Sequence, residues 1–125
     1  METKTLTVLN QEQLVEKQTQ LYCNKLFLSM KKWHEDNGMS PQWVTHYIYE
    51  TGRKYFKVIR VETDDNHRCV EAFIDRQTGD IYKPAGWNKP AKGVRYNLLD
   101  EESLQLCFKH LDPFGGHLYK NRGVI

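Results

Sequence analysis

The stretch Tyr55-Phe56-Lys57-Val58-Ile59-Arg60-Val61-Glu62-Thr63, then Asp64-Asp65-Asn66, then Arg68-Cys69-Val70-Glu71-Ala72-Phe73-Ile74-Asp75 decides the fold. Its two outer parts are rich in β-branched and aromatic residues, which suit a pleated, half-buried surface. The Asp-Asp-Asn triplet between them is a turn cluster. In the second strand, Val70, Ala72 and Ile74 fall on one face and Cys69, Glu71 and Phe73 on the other. Asp75-Arg76-Gln77-Thr78-Gly79-Asp80 follows as a hairpin loop, with Gly79 where a positive φ is needed. Ile81-Tyr82-Lys83 begins the return strand. Connections this short cannot make parallel crossovers, so the strands form an antiparallel meander.

Upstream, Trp43 to Glu50 adds a further strand after a turn at Ser40-Pro41, and Thr5-Leu6-Thr7-Val8-Leu9 is a candidate short strand. Between them no Pro or Gly interrupts Gln11 to about Asp36. Asn10 suits a helix N-cap with Gln13 as its capping-box partner, and Leu9 and Leu14 stand at staple spacing. Leu14, Leu21 and Leu28, with Tyr22, Leu26, Met30 and Trp33, form one broad apolar face that should pack on the sheet. Lys31, Lys32 and His34 suit the helix dipole near the end, and Asn37-Gly38 stops the helix. Downstream, Asp100 caps a short helix with Glu101 and Glu102 in its first turn, and Leu99 and Leu104 repeat the staple spacing. Lys109, His110 and Asp112-Pro113 close that helix, and the tail from Phe114 onward is expected to be extended.

This order predicts an α+β fold in one domain spanning residues 1–125. A long N-terminal helix crosses an antiparallel meander sheet of roughly three to five strands, and a short C-terminal helix covers an edge or end. Helix followed by meander is a cystatin-like arrangement. A ferredoxin-like one is the alternative and requires Thr5 to Leu9 as a strand.

The net charge of +2 excludes a strongly basic nucleic-acid coat and an acidic disordered tail. No apolar run approaches the roughly 20 residues of a membrane span. Met1-Glu2-Thr3-Lys4 lacks the apolar core of a signal peptide. Cys23, Cys69 and Cys107 are dispersed among apolar neighbours, as buried reduced thiols are. A cytoplasmic protein without membrane contact is therefore expected. The histidines, His34, His46, His67, His110 and His117, form no metal-ligand spacing. Asp64-Asp65 and Glu101-Glu102 are explained by a turn and a helix start. With no phosphate loop, dinucleotide fingerprint or nucleophile elbow, no catalytic residue, metal or cofactor is expected.

One segment stands out chemically. From Ile81 to Leu99 there are four basic residues and no acid, whereas Glu62 to Asp80 holds six acids and two bases. Lys83, Trp87, Lys89, Lys92, Arg95 and Tyr96 are the candidate partner-binding residues. Such a loop could grip phosphate while its aromatic rings stack on exposed bases. The leading reading is nonetheless structural, with Trp87 plugging the core, the prolines setting the path and the lysines solvated. We expect Trp87 mostly buried and the cations exposed on one side.

The run Phe73-Ile74-Asp75-Arg76-Gln77-Thr78-Gly79-Asp80-Ile81-Tyr82-Lys83-Pro84-Ala85-Gly86-Trp87, with Pro90-Ala91-Lys92-Gly93-Val94-Arg95, resembles a family of small phage-encoded proteins of unknown function, of marine phage type. In that family a Thr-Gly-Asp-x-Tyr-Lys hairpin leads into Ala-x-Trp-x-x-Pro-Ala-Lys. Tyr96-Asn97 departs from the family pattern, which often has a small residue and Asn after its Arg. The resemblance implies a viral origin and no particular activity. The expected function is a non-enzymatic phage-encoded binding or interaction protein in the host cytoplasm. Its partner would be a host protein, a virion component or a second copy. The alternative is a nucleic-acid-binding accessory protein that takes single strands on the basic loop 83–96.

Overall fold

The Asn10 side chain accepts from the Gln13 N–H at 2.8 Å, and Gln13 Oε1 accepts from the Asn10 N–H at 3.1 Å. That reciprocal pair satisfies two otherwise orphaned donors and opens α1 (Gln11–Asp36). The structure, a computed structural model, describes residues 9–39, 45–62 and 67–119. The candidate strand at Thr5 to Leu9 (Leu9 apart), the turns at Ser40-Pro41 and Asp64-Asp65-Asn66, Trp43, and the tail past Tyr119 lie outside the described residues.

The amphipathic helix is as expected, but its phase is not. Val15, Thr19, Tyr22, Cys23, Leu26 and Met30 face the core. Leu14, Leu21 and Leu28, expected to share that face, are 40%, 37% and 51% exposed. Trp33 is also exposed and meets Phe114 edge-on at 5.0 Å instead of lying on the sheet. The apolar residues fall in two rows about a third of a turn or more apart, and a sheet can cover only one of them fully.

After α1 come β1 (Thr45–Thr51), β2 (Tyr55–Glu62), β3 (His67–Asp75) and β4 (Asp80–Tyr82). Next are a small hairpin of β5 (Pro84–Gly86) and β6 (Lys89–Pro90), then β7 (Tyr96–Asn97), α2 (Glu101–Lys109) and α3 (Gly116–Tyr119). The main sheet has the order β1-β2-β3-β4-β7, antiparallel throughout. This is the expected α+β fold, a long N-terminal helix on an antiparallel sheet with short C-terminal helices. Gly79 has φ +79°, as the hairpin loop requires. Asp100 caps α2 by accepting from the Ser103 N–H at 3.0 Å. The tail is not extended where it is described: α3 turns His117 and Leu118 inward, and both are buried.

One departure from strict alternation shapes the sheet. Val58 faces Ala72, but the next residue, Ile59, faces Val70, so Glu71 is the extra residue of a β-bulge. The faces therefore differ from the expected ones. Tyr47, Arg60 and Cys69 form one cross-strand row and Tyr49, Val58 and Ala72 the next, all toward α1. Val70 and Phe73 lie on the outer face instead. On the α1 side, Phe56, Val58, Ala72, Ile74 and Ile81 meet the helix, Leu98, Leu104, Cys107 and Leu118 in the main core. Each such fully buried side chain of Val, Leu or Ile size contributes about 1.5–3 kcal/mol.

Candidate functional site

The outer face of the sheet carries Tyr55, Lys57 and Ile59 from β2 and Arg68, Val70 and Phe73 from β3. Tyr55 meets Phe73 and Tyr82 edge-on at 5.8 and 6.0 Å. The β5–β6 hairpin folds back beside β3 and is closed by the Ala91 N–H donating to the Lys83 carbonyl at 2.8 Å. Both prolines occupy this two-stranded ribbon, where a missing N–H is tolerated on an edge. Trp87 and Asn88 form its turn.

Trp87 is 44% exposed, which corrects the expectation of a core plug. The turn holds its ring beside two cations. Lys57 Nζ stands 4.5 Å from the ring centre and the Arg68 guanidinium 5.9 Å from it. Lys57 Nζ also donates to Asn88 Oδ1 at 2.8 Å, and Arg68 pairs with Glu50 at 3.1 Å. Cations against an indole face are attracted by its quadrupole, so this position suits the ring without burial.

The structure divides the other expected site residues. Lys89 flanks the same turn and is exposed. Lys92 is exposed at the bend before Gly93. Lys83, Arg95 and Tyr96 turn toward the C-terminal segment. Lys83 Nζ lies 4.5 Å from the Tyr119 ring centre, Arg95 Nε donates to the Leu118 carbonyl at 2.7 Å, and Tyr96 packs against the core beside the His117 ring. The six residues are therefore not one surface. Trp87 and Lys89 belong to the outer face, while Lys83, Arg95 and Tyr96 contact α3.

Lys57, Arg68 and Asn88 join Trp87 and were missed in the sequence. Counting alternate residues along β2 places Lys57 outward with Ile59, and that was the available signal. Beside them is a pocket of about 240 Å³ whose lining includes Arg53, Lys54, Tyr55, Lys57, Phe73 and Asn88. The acidic segment, by contrast, is largely consumed locally. Glu62 and Glu71 pair with Arg60, Asp75 accepts from the Gln77 and Thr78 N–H groups, and Asp80 accepts from Asn97.

A second polar cluster lies between the bulge and the C-terminal segment. Burial pushes the Glu71 carboxyl up to about 7, although Arg60, 3.0 Å away, works against that. Burial pushes His117 down to about 4, so it is neutral near pH 7. Its Nδ1 accepts from the Asp112 N–H at 3.2 Å, which leaves Nε2–H facing the Tyr22 hydroxyl at 2.9 Å. The Tyr47 hydroxyl donates to the Pro113 carbonyl. A carboxyl near 7 has the pKa of a general acid or base. Here, however, the Gly115 main chain, at φ +82°, lies so close that a Cβ there would stand 3.0 Å from Glu71 Oε1. The cluster is closed and serves to hold the chain end on the sheet.

Burial raises Cys23 and Cys107 to about 12, which makes them inert thiols, while Cys69 is only half-buried, against the expectation of three buried ones. Among the described residues no three His, Cys, Asp or Glu side chains converge as a metal site needs, and no helix is long and apolar enough to cross a membrane.

Fold and site together define a small α+β sheet protein with a cation-and-tryptophan outer face. The chain belongs to a family of unknown function, DUF7717, whose model matches residues 2–120. No curated protein and no solved structure matches it.

Proposed function

We propose that this is a non-enzymatic, phage-encoded interaction protein whose contact surface is the Trp87 hairpin and the outer sheet face around it. The exposed indole at the tip of a braced turn, among Lys57, Arg68 and Lys89, carries this reading. Tryptophan is the residue type most enriched at the energetic centre of protein interfaces. A rigid hairpin presents it at little ordering cost. The surrounding cations favour a partner that offers acidic side chains around an apolar pocket. The viral origin rests on the resemblance of residues 73–95.

Single-stranded nucleic acid is the second ligand class, because an exposed Trp87 is also a stacking platform worth about 1–3 kcal/mol per base. Lys83 and Arg95 are engaged with the C-terminal segment, so fewer cations converge than the loop's composition suggests. That favours a protein partner. The test is a photo-crosslinking residue at position 87, with Ala85 as a nearby control position, in extract of the cells that host the natural gene. A discrete protein adduct formed at 87 and suppressed by excess wild type supports the proposal. Adducts only with RNA or DNA move the reading to nucleic acid. Equal labelling from both positions removes the Trp87 surface as the site.

A further inference from the structure

β1 reads Thr45-His46-Tyr47-Ile48-Tyr49-Glu50-Thr51, a strand that is self-complementary about its central residue. We infer that β1 pairs antiparallel with β1 of a second copy about a two-fold axis at Ile48, joining two sheets edge to edge. In that register Thr45 faces the second copy's Thr51, His46 faces its Glu50, Tyr47 faces its Tyr49, and the two Ile48 side chains face each other. A two-fold interface repeats each contact, so the His46 imidazole and the Glu50 carboxylate make two polar pairs. Aromatic, Thr–Thr and opposite-charge pairs are the cross-strand partners that stabilise antiparallel sheets.

The sheet has two edges, and they differ. β7 is two residues long and has α2 beside it. β1 is seven residues long and keeps an unbroken register with β2 from Thr45↔Glu62 to Thr51↔Phe56. It has no proline or bulge, and among the described residues no strand covers its outer side. Such an edge is a template for another strand unless something blocks it. The side chains fit a partner on both faces. His46, Ile48 and Glu50 are exposed on the outer face. On the α1 side a groove of about 570 Å³ adjoins this strand, lined by Gln20, Cys23, Asn24 and Phe27 with His46, Tyr47, Ile48 and Tyr49.

Side-chain pairing selects the register. A one-residue slip flips every side chain to the wrong face. A two-residue slip sets Ile48 against Glu50 or His46. Only the register centred on Ile48 pairs like with like at Thr, Tyr and Ile and sets an imidazole against a carboxylate at His46 and Glu50. Glu50 already holds Arg68 of its own chain at 3.1 Å, so each paired site gathers one carboxylate, one guanidinium and one imidazole.

The test is sedimentation velocity on the full chain, with Ile48→Cys in a Cys69→Ser background as a cross-linking probe. We expect a species of twice the 14.8 kDa chain mass and, on air oxidation, a disulfide dimer through position 48. His46→Glu sets like charges opposite each other twice and should weaken the dimer at least about tenfold. The exchange His46→Glu with Glu50→His restores the imidazole–carboxylate pairs and should recover association. A monomer at about 0.1 mM, a concentration that detects any Kd tighter than millimolar, overturns the inference. So does a dimer that position 48 fails to cross-link and His46→Glu leaves intact.

Discussion

Arg60 Nη1 stands 3.0 Å from Glu71 Oε2, and Glu71 is the residue left over by the bulge in β3. The extra residue turns a carboxylate toward α1 that strict alternation would send outward. Arg60 sits opposite Tyr47 and Cys69 and supplies its counter-charge. Glu71 Oε1 finds no hydrogen-bond donor among the described residues. Burial disfavours the charged carboxylate and raises its pKa, and Arg60, on one oxygen only, offsets part of that rise.

Glu71 and His117 give opposite pH dependences. Glu71 rises from 4.5 to about 7 on folding, so its contribution to stability is full below pH 4.5 and is lost as pH climbs through about 7. His117 falls from 6.5 to about 4, so its contribution is full above pH 6.5 and is lost as pH drops through about 4. Each is worth about 3 kcal/mol at 1.36 kcal/mol per unit. In the wild type the two slopes largely offset each other. Glu71→Gln should leave stability rising with pH toward neutrality, and His117→Asn should leave it falling. Urea titrations at several pH values read both slopes, and parallel profiles for the two variants would refute the assignment.

Gly79 is constrained twice. Its φ is +79°, and a Cβ there would stand 3.1 Å from Leu99 Cγ. Gly79→Val should destabilise by about 1–2 kcal/mol or more, the left-handed penalty plus the displacement of Leu99. Equilibrium denaturation measures this, and a loss under about half a kcal/mol would contradict it.

Trp33→Ala, if the ring lay in the core, would cost about 3–5 kcal/mol. Its exposure and its edge-on contact with Phe114 predict a smaller loss, near 1 kcal/mol, shared with that ring. A double-mutant cycle of Trp33→Ala and Phe114→Ala should give a coupling of about 0.5–1.5 kcal/mol. Strict additivity would show that the contact carries no energy.

Lys89 and Lys92 are exposed, so changing both to Ala should leave the denaturation midpoint nearly unmoved. If single strands bind this surface, the pair should weaken binding and flatten its salt slope by about two units. Wild type that retains no oligonucleotide at low salt rules out that ligand and leaves the protein partner.

Short-range features were legible in the chain. The Asn10–Gln13 box, the Asp100 cap, the Gly79 turn and the antiparallel order each depend on residues a few positions apart, so sequence spacing contains their geometry. The candidate site was half legible: Trp87 and Lys89 were singled out, whereas Lys57 and Arg68 come from other strands and reach the ring only across the sheet.

What tertiary structure decided is phase and pairing. The sequence showed one broad apolar face on α1, but which part of it is buried depends on where the sheet lies and on Tyr22 reaching His117 across ninety-five positions. The bulge is invisible along β3 because it exists only relative to the register of β2, and it alone sends Glu71 inward. Trp87 is exposed because the hairpin sets it over Lys57 and Arg68, a contact that local composition cannot encode. Local spacing determines elements through hydrogen bonds within a turn. Burial depends on which surfaces meet, and that is settled only when distant segments pack together.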